Sequence, residues 1–148
     1  MAIEELYQEI ILDHYKNPRN KGVIDHPDVH RHAKNTLCGD EIDIYARVEN
    51  GVLTDVKFSG QGCSISQASA SLLTQALRGK TVEEAEKLIA EFREMLSGKT
   101  EPADAEIWGE LAALRGVTKF PARVKCAVLS WDTAQKGIRE FRGKIHPH

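Results

Sequence analysis

Two runs of alternating apolar residues meet at Asn50-Gly51, and that junction narrows the fold more than any other feature of the chain. Ile42, Ile44, Ala46 and Val48 alternate with charged or polar-edged residues, as a half-buried strand requires. Asn-Gly tolerates positive φ at both central positions of a tight turn, so the strand is expected to reverse there. Val52, Thr54, Val56 and Phe58 continue the same period on the return strand. The pattern predicts an antiparallel hairpin with one buried face.

Helical patterns flank the hairpin. Ile3, Leu6, Tyr7, Ile10, Ile11 and Tyr15 form one apolar stripe opposite Glu4, Glu5, Glu9 and Asp13, which predicts a helix over about 3–15. Pro18 disfavours helical geometry at Asn17 and ends it, and His14 is expected at its edge. Residues 19–37 are polar and read as a loop with one short strand near 29–34. Gly60-Gln61-Gly62 is expected to break the sheet and deliver Cys63 to a helix over about 64–78, with Gly79 as its cap. Thr81 with Glu84 forms a capping box that opens a helix over about 82–97, closed by Gly98. Ile107, Trp108, Leu111 and Leu114 suggest a short helix within 99–119. Pro121 suits the first turn of a last helix, striped by Val124, Ala127, Val128, Trp131, Ala134, Ile138 and Phe141. Residues 143–148 read as a frayed tail. Strands first and helices after is the α+β order, with a small antiparallel sheet of about three strands against a layer of helices.

The 148 residues suit a single domain. With 20 Lys+Arg against 22 Asp+Glu, the net charge of -2 argues against general nucleic-acid binding. Charge is uneven along the chain: residues 80–111 hold four basic and nine acidic side chains, and residues 112–148 hold eight and two. A basic last helix suits docking to an acidic protein surface, or is only a solvated face. No apolar run approaches the ~18 residues of a membrane span. The first residues carry neither a basic leader nor an apolar signal core, so a cytoplasmic location is expected.

Cys38, Cys63 and Cys126 make an odd set, for which a disulfide framework is not expected. Cys38-Gly39-Asp40 places a thiol and a carboxylate two residues apart around a glycine turn. Cys63 stands at a predicted helix start, where unpaired N–H groups favour a thiolate. Cys126 follows Arg123 and Lys125, two cations that act the same way. Three thiolates and a carboxylate make a complete tetrahedral set for zinc, or ligands for an iron–sulfur cluster. One or more of these cysteines could equally be a small buried hydrophobe, with Asp40 capping a turn. His30 and His32, on one face of an extended segment, are a rival ligand pair, and His146 and His148 a weaker one. The chain has no Gly-x-Ser-x-Gly, His-Glu-x-x-His or phosphate-cradling glycine loop, which removes the common hydrolase and nucleotide readings.

Taken together, the motifs resemble the U-type iron–sulfur assembly proteins, the IscU/SufU/NifU N-terminal family, from about Leu6 to Phe141. The carriers are His14-Tyr15-Lys16-Asn17-Pro18-Arg19-Asn20, Thr36-Leu37-Cys38-Gly39-Asp40, Phe58 to Ser71 around Gly62-Cys63, Gly79 to Ala85, and Pro121-Ala122-Arg123-Val124-Lys125-Cys126. Scaffold-type members carry a histidine where Lys125 stands, and a Leu-Pro-Pro-Val-Lys stretch where Phe120-Pro121-Ala122-Arg123-Val124 stands. These departures, with the extra segment 99–119, resemble the SufU branch. The resemblance implies an IscU-like fold and zinc held by Cys38, Asp40, Cys63 and Cys126. It also implies a sulfurtransferase that accepts persulfide sulfur from, and stimulates, a SufS-type pyridoxal-phosphate cysteine desulfurase, with Cys38 as acceptor and Arg123 orienting it or pairing with the carboxylate. A SufBCD-like scaffold would lie downstream. The alternatives are a transient Fe–S cluster on the same ligands, and a zinc-stabilised interaction domain without chemistry.

Overall fold

The computed structural model describes residues 3–36, 39–97 and 109–145. Cys38, Gly98, Ile107, Trp108, His146 and His148 lie outside the described residues, as do the side chains of Ile3, Leu6 and Tyr7. The elements run α1 (Ile3–Lys16), β1 (Val29–Asn35), β2 (Asp40–Glu49), β3 (Val52–Gln61), α2 (Ser64–Leu77), α3 (Val82–Leu96), a 3-10 segment (Gly109–Lys119) and α4 (Pro121–Ile145). The strands form one antiparallel sheet in the order β1-β2-β3. The expected α+β arrangement is what the chain adopts.

The hairpin turns at Asn50 (φ 52°) and Gly51 (φ 77°), both in the left-handed region that the Asn-Gly pair tolerates. The return strand departs from strict alternation. Arg47 pairs with Asp55 but Val48 with Leu53, so Thr54 is an extra residue in a β-bulge. Leu53 is thereby buried and Thr54 exposed, the reverse of the simple period. β3 also runs on through Gly60 and Gln61, which pair with Ile42 and Glu41. Gly60 sits at φ 128°, and a Cβ there would collide with the Glu41 carbonyl, so only glycine lets the strand continue.

The outer edge of β3 is covered by the segment after α1. Gly22 N–H donates to Phe58 C=O at 2.7 Å, and Phe58 N–H to Asn20 C=O at 3.1 Å. Arg19 and Asn20 also bond Ser71 and Thr74 of α2. The Asn17-Pro18-Arg19-Asn20 run therefore buckles α1 onto α2 and the sheet.

Helices α2 and α4 cover the inner face of the sheet. Phe92 of α3 stacks on Trp131 of α4 with ring centroids 3.8 Å apart, and the Trp131 indole N–H donates to Ser69 of α2 at 3.0 Å. Thr81 and Glu84 form the expected capping box at the start of α3. Two helical expectations are corrected. On α1, His14 is fully buried and Tyr15 is exposed, so the inward face is rotated toward His14. The last helix continues to Ile145, beyond where fraying was expected. The connection before α4 is a 3-10 segment, where Leu111, Leu114 and Val117 are buried at intervals of three, the period of that helix.

Candidate metal centre

The sheet register brings the first two donors together. Asp40 is the first residue of β2, and its neighbour Glu41 pairs with Gln61 at the end of β3. Two residues later Cys63 caps α2, so residues 23 apart in sequence meet at one end of the sheet. Asp40 is fully buried, and its Oδ1 accepts the Cys63 backbone N–H at 2.9 Å. Gly62 makes this fit: a Cβ there would collide with Asp40 Oδ1 and Ser66 Oγ. At the helix start, the Ser66 N–H donates to Cys63 Sγ at 3.4 Å, so the sulfur caps α2.

Cys126 arrives from α4, which Pro121 opens without wasting an N–H donor. Cys126 is 2% exposed. One donor atom each from Asp40, Cys63 and Cys126 lie within 4.8 Å of one another, and neither of these cysteines is in a disulfide. The donor set fits zinc, which takes thiolates and a carboxylate at about 2.0–2.3 Å in a tetrahedron. The decisive atom is Asp40 Oδ2, which is buried and makes no hydrogen bond among the described residues. A carboxylate oxygen in that state costs more than about 1–3 kcal/mol unless a cation meets it.

The other sequence candidates fall elsewhere. Arg123 is exposed in the first turn of α4, where it lines an open cleft of about 380 Å³ with Leu12, Ser64, Ile65 and Phe120. It makes no bond to Asp40 Oδ2. Lys125, at the position of the scaffold-type histidine, is exposed. His30 and His32 do not join the thiolates; they lie on the outer sheet face and engage Asp43 at 2.9 and 3.1 Å. Burial raises the Asp43 pKa, but hydrogen bonds from the two imidazoles outweigh it and leave the carboxyl below its usual value. Sequence reasoning missed the Ser66 contact, which follows from Cys63 standing as the N-cap three residues earlier, and the burial of His14, which spacing along α1 does not give.

Comparison with known proteins agrees with this geometry. Residues 6–127 match the profile of the NifU-like N terminal domain. The chain belongs to the NifU-like N-terminal domain family. Within this iron–sulfur cluster assembly family, it is 46% identical over 141 residues to the zinc-dependent sulfurtransferase SufU of Bacillus subtilis, with 95% of each chain covered. It is 39% identical over 141 residues to the iron–sulfur cluster assembly scaffold protein IscU of Thermotoga maritima, covering 95% of this chain and 98% of that one. A crystal structure from Fervidobacterium islandicum, described as a putative scaffold protein for the SUF system, superimposes with TM-score 0.80 at 32% identity, covering 93% of this chain and 99% of that one. No helix among the described residues is long and apolar enough to cross a membrane.

Proposed function

We propose that this NifU-like domain is a zinc-dependent sulfur acceptor, which takes persulfide sulfur from a pyridoxal-phosphate cysteine desulfurase of the SufS type. The observation that carries the reading is the convergence of Asp40, Cys63 and Cys126, with Asp40 Oδ2 buried and making no hydrogen bond among the described residues. The Bacillus subtilis relative, named a zinc-dependent sulfurtransferase, supports it. So does the exposed Lys125, which stands where scaffold-type members carry a histidine; among the described residues no imidazole joins the Asp40, Cys63 and Cys126 group.

Asp40, Cys63 and Cys126, with Cys38 as the fourth ligand, would hold zinc, which keeps thiols deprotonated at neutral pH. Asp40, Cys63 and Cys126 are placed by β2, the start of α2 and α4. The resemblance to the sulfur-accepting branch of the family assigns Cys38 as the thiolate that would be released. Its sulfur attacks the outer sulfur of the desulfurase persulfide, forming one S–S bond as the old one breaks. The desulfurase cysteine leaves as a thiolate, and the transferred outer sulfur keeps its proton as the new Cys38 persulfide, so charge and oxidation state balance. Arg123, exposed at the cleft beside Ser64, would hold the incoming sulfur or orient Cys38 electrostatically.

The test is alanine release by a SufS-type desulfurase. Zinc-loaded protein is expected to stimulate it, and Cys38→Ala to abolish the stimulation. A fully active Cys38→Ala variant would contradict the proposal. A second reading, a transient cluster scaffold on the same ligands, is favoured by the Thermotoga maritima relative's name. It requires iron and acid-labile sulfide to be retained and passed to an apo-protein.

A further inference from the structure

His14 is fully buried, yet its ring touches groups from two other elements. Nδ1 lies 2.8 Å from Ser71 Oγ on α2, and Nε2 lies 2.9 Å from Glu110 Oε2 on the 3-10 segment. One donor atom each from Asp13, His14 and Glu110 lie within 4.8 Å of one another. We propose that these three side chains form a second divalent-cation site, chemically distinct from the thiolate centre. It would take a hard-to-borderline ion such as Mn2+ or Fe2+.

Four features support the assignment. The first is the orientation of the imidazole. A ligating histidine is typically fixed through its second nitrogen, and Ser71 does this for His14. The Ser71 hydroxyl can donate to Nδ1 or accept from it, and the tautomer carrying the proton on Nδ1 presents the Nε2 lone pair toward the carboxylates. The second is spacing. The 2.9 Å between Nε2 and Oε2 is close to the separation of about 3 Å between adjacent donors in an octahedral site with bonds near 2.1 Å. An ion could replace the bridging proton without backbone movement.

Charge is the third. Two carboxylates converge here, and Arg19 engages only Asp13 Oδ2, at 2.7 Å. Among the described residues Asp13 Oδ1 has a single long contact, with Asn17 at 3.4 Å, so one oxygen remains available and two carboxylates face one guanidinium. The fourth is access: Asp13 is 47% and Glu110 42% exposed, so water can complete the shell from outside. One nitrogen and two oxygens, with no sulfur, favour ions such as Mn2+ and Fe2+ over thiolate-seeking ones. Ser71 is eight residues along α2 from Cys63, about 12 Å of helix, so the two centres are separate. A bound ion would clip α1 to the 3-10 segment.

The experiment uses the full chain, its thiolate centre first filled with one equivalent of Zn2+. Mn2+ is then added, and the free ion is followed by its electron paramagnetic resonance signal. One further equivalent is expected to bind. Glu110→Gln and Asp13→Asn should each weaken that binding at least tenfold with unchanged circular dichroism, whereas Glu41→Gln on the sheet should not. Retention of no Mn2+, or binding that is unchanged in both variants, would overturn the proposal.

Discussion

Asp40 reaches Cys63 through one carboxylate oxygen, which accepts the Cys63 N–H at 2.9 Å, and leaves the other buried with no hydrogen bond among the described residues. The bond fixes the carboxylate at the end of the sheet and leaves the second oxygen as a buried acceptor that a cation would satisfy. This division of labour makes Asp40 a candidate ligand already held in place by the backbone of Cys63.

Gly62→Ala should damage this arrangement without unfolding the protein. The new Cβ would displace Asp40 Oδ1 and Ser66 Oγ. Loss of such positioning usually weakens metal binding by about 10–100-fold. Competition for zinc against a chromophoric chelator reads the change directly, with circular dichroism as the check on folding.

A second substitution separates fold from site. Gly137 of α4 faces β1, and a Cβ there would lie 2.8 Å from Val29 Cγ1. Overpacking of this kind costs about 1–3 kcal/mol, so Gly137→Ala should lower the urea midpoint. Zinc affinity measured in the same variant should stay at the wild-type value.

The 3-10 segment makes a prediction through its period. Leu114 is fully buried between Leu111 and Val117. Leu114→Ala should cost about 2–5 kcal/mol in equilibrium unfolding, whereas Ala112→Ser on the exposed side should change stability by less than about 0.5 kcal/mol.

The capping box predicts a pH dependence. Backbone and side-chain hydrogen bonds from Thr81 hold the Glu84 carboxyl below its ordinary value of 4.5. A depressed carboxyl stabilises the fold fully above its unfolded pKa and loses that contribution as pH falls through the folded one. The stability difference between wild type and Glu84→Ala should therefore be constant above about pH 5 and shrink progressively below 4.5. Urea titrations at a series of pH values check it.

Much of this was legible along the chain wherever the cause is local. Pro18, Asn50-Gly51 and the Thr81–Glu84 pair act within a few residues of themselves, and α1, the hairpin and α3 begin or end where those residues require. The candidate donors at Asp40, Cys63 and Cys126 were legible too. Their meeting was not, because it depends on the Glu41–Gln61 register and the approach of α4. The Thr54 bulge escaped the alternating pattern because an extra residue shifts the phase of one strand only. His14 escaped because its burial is set by Ser71 and Glu110, which are 57 and 96 residues away.

The most direct test of the central claim is to find where transferred sulfur resides. Zinc-loaded protein is incubated with a SufS-type desulfurase and cysteine, alkylated, digested and analysed by mass spectrometry. The account predicts one added sulfur on the peptide containing Cys38 and none on those containing Cys63 or Cys126. Sulfur on Cys63 or Cys126 instead, or on no cysteine while alanine release is still stimulated, would contradict it.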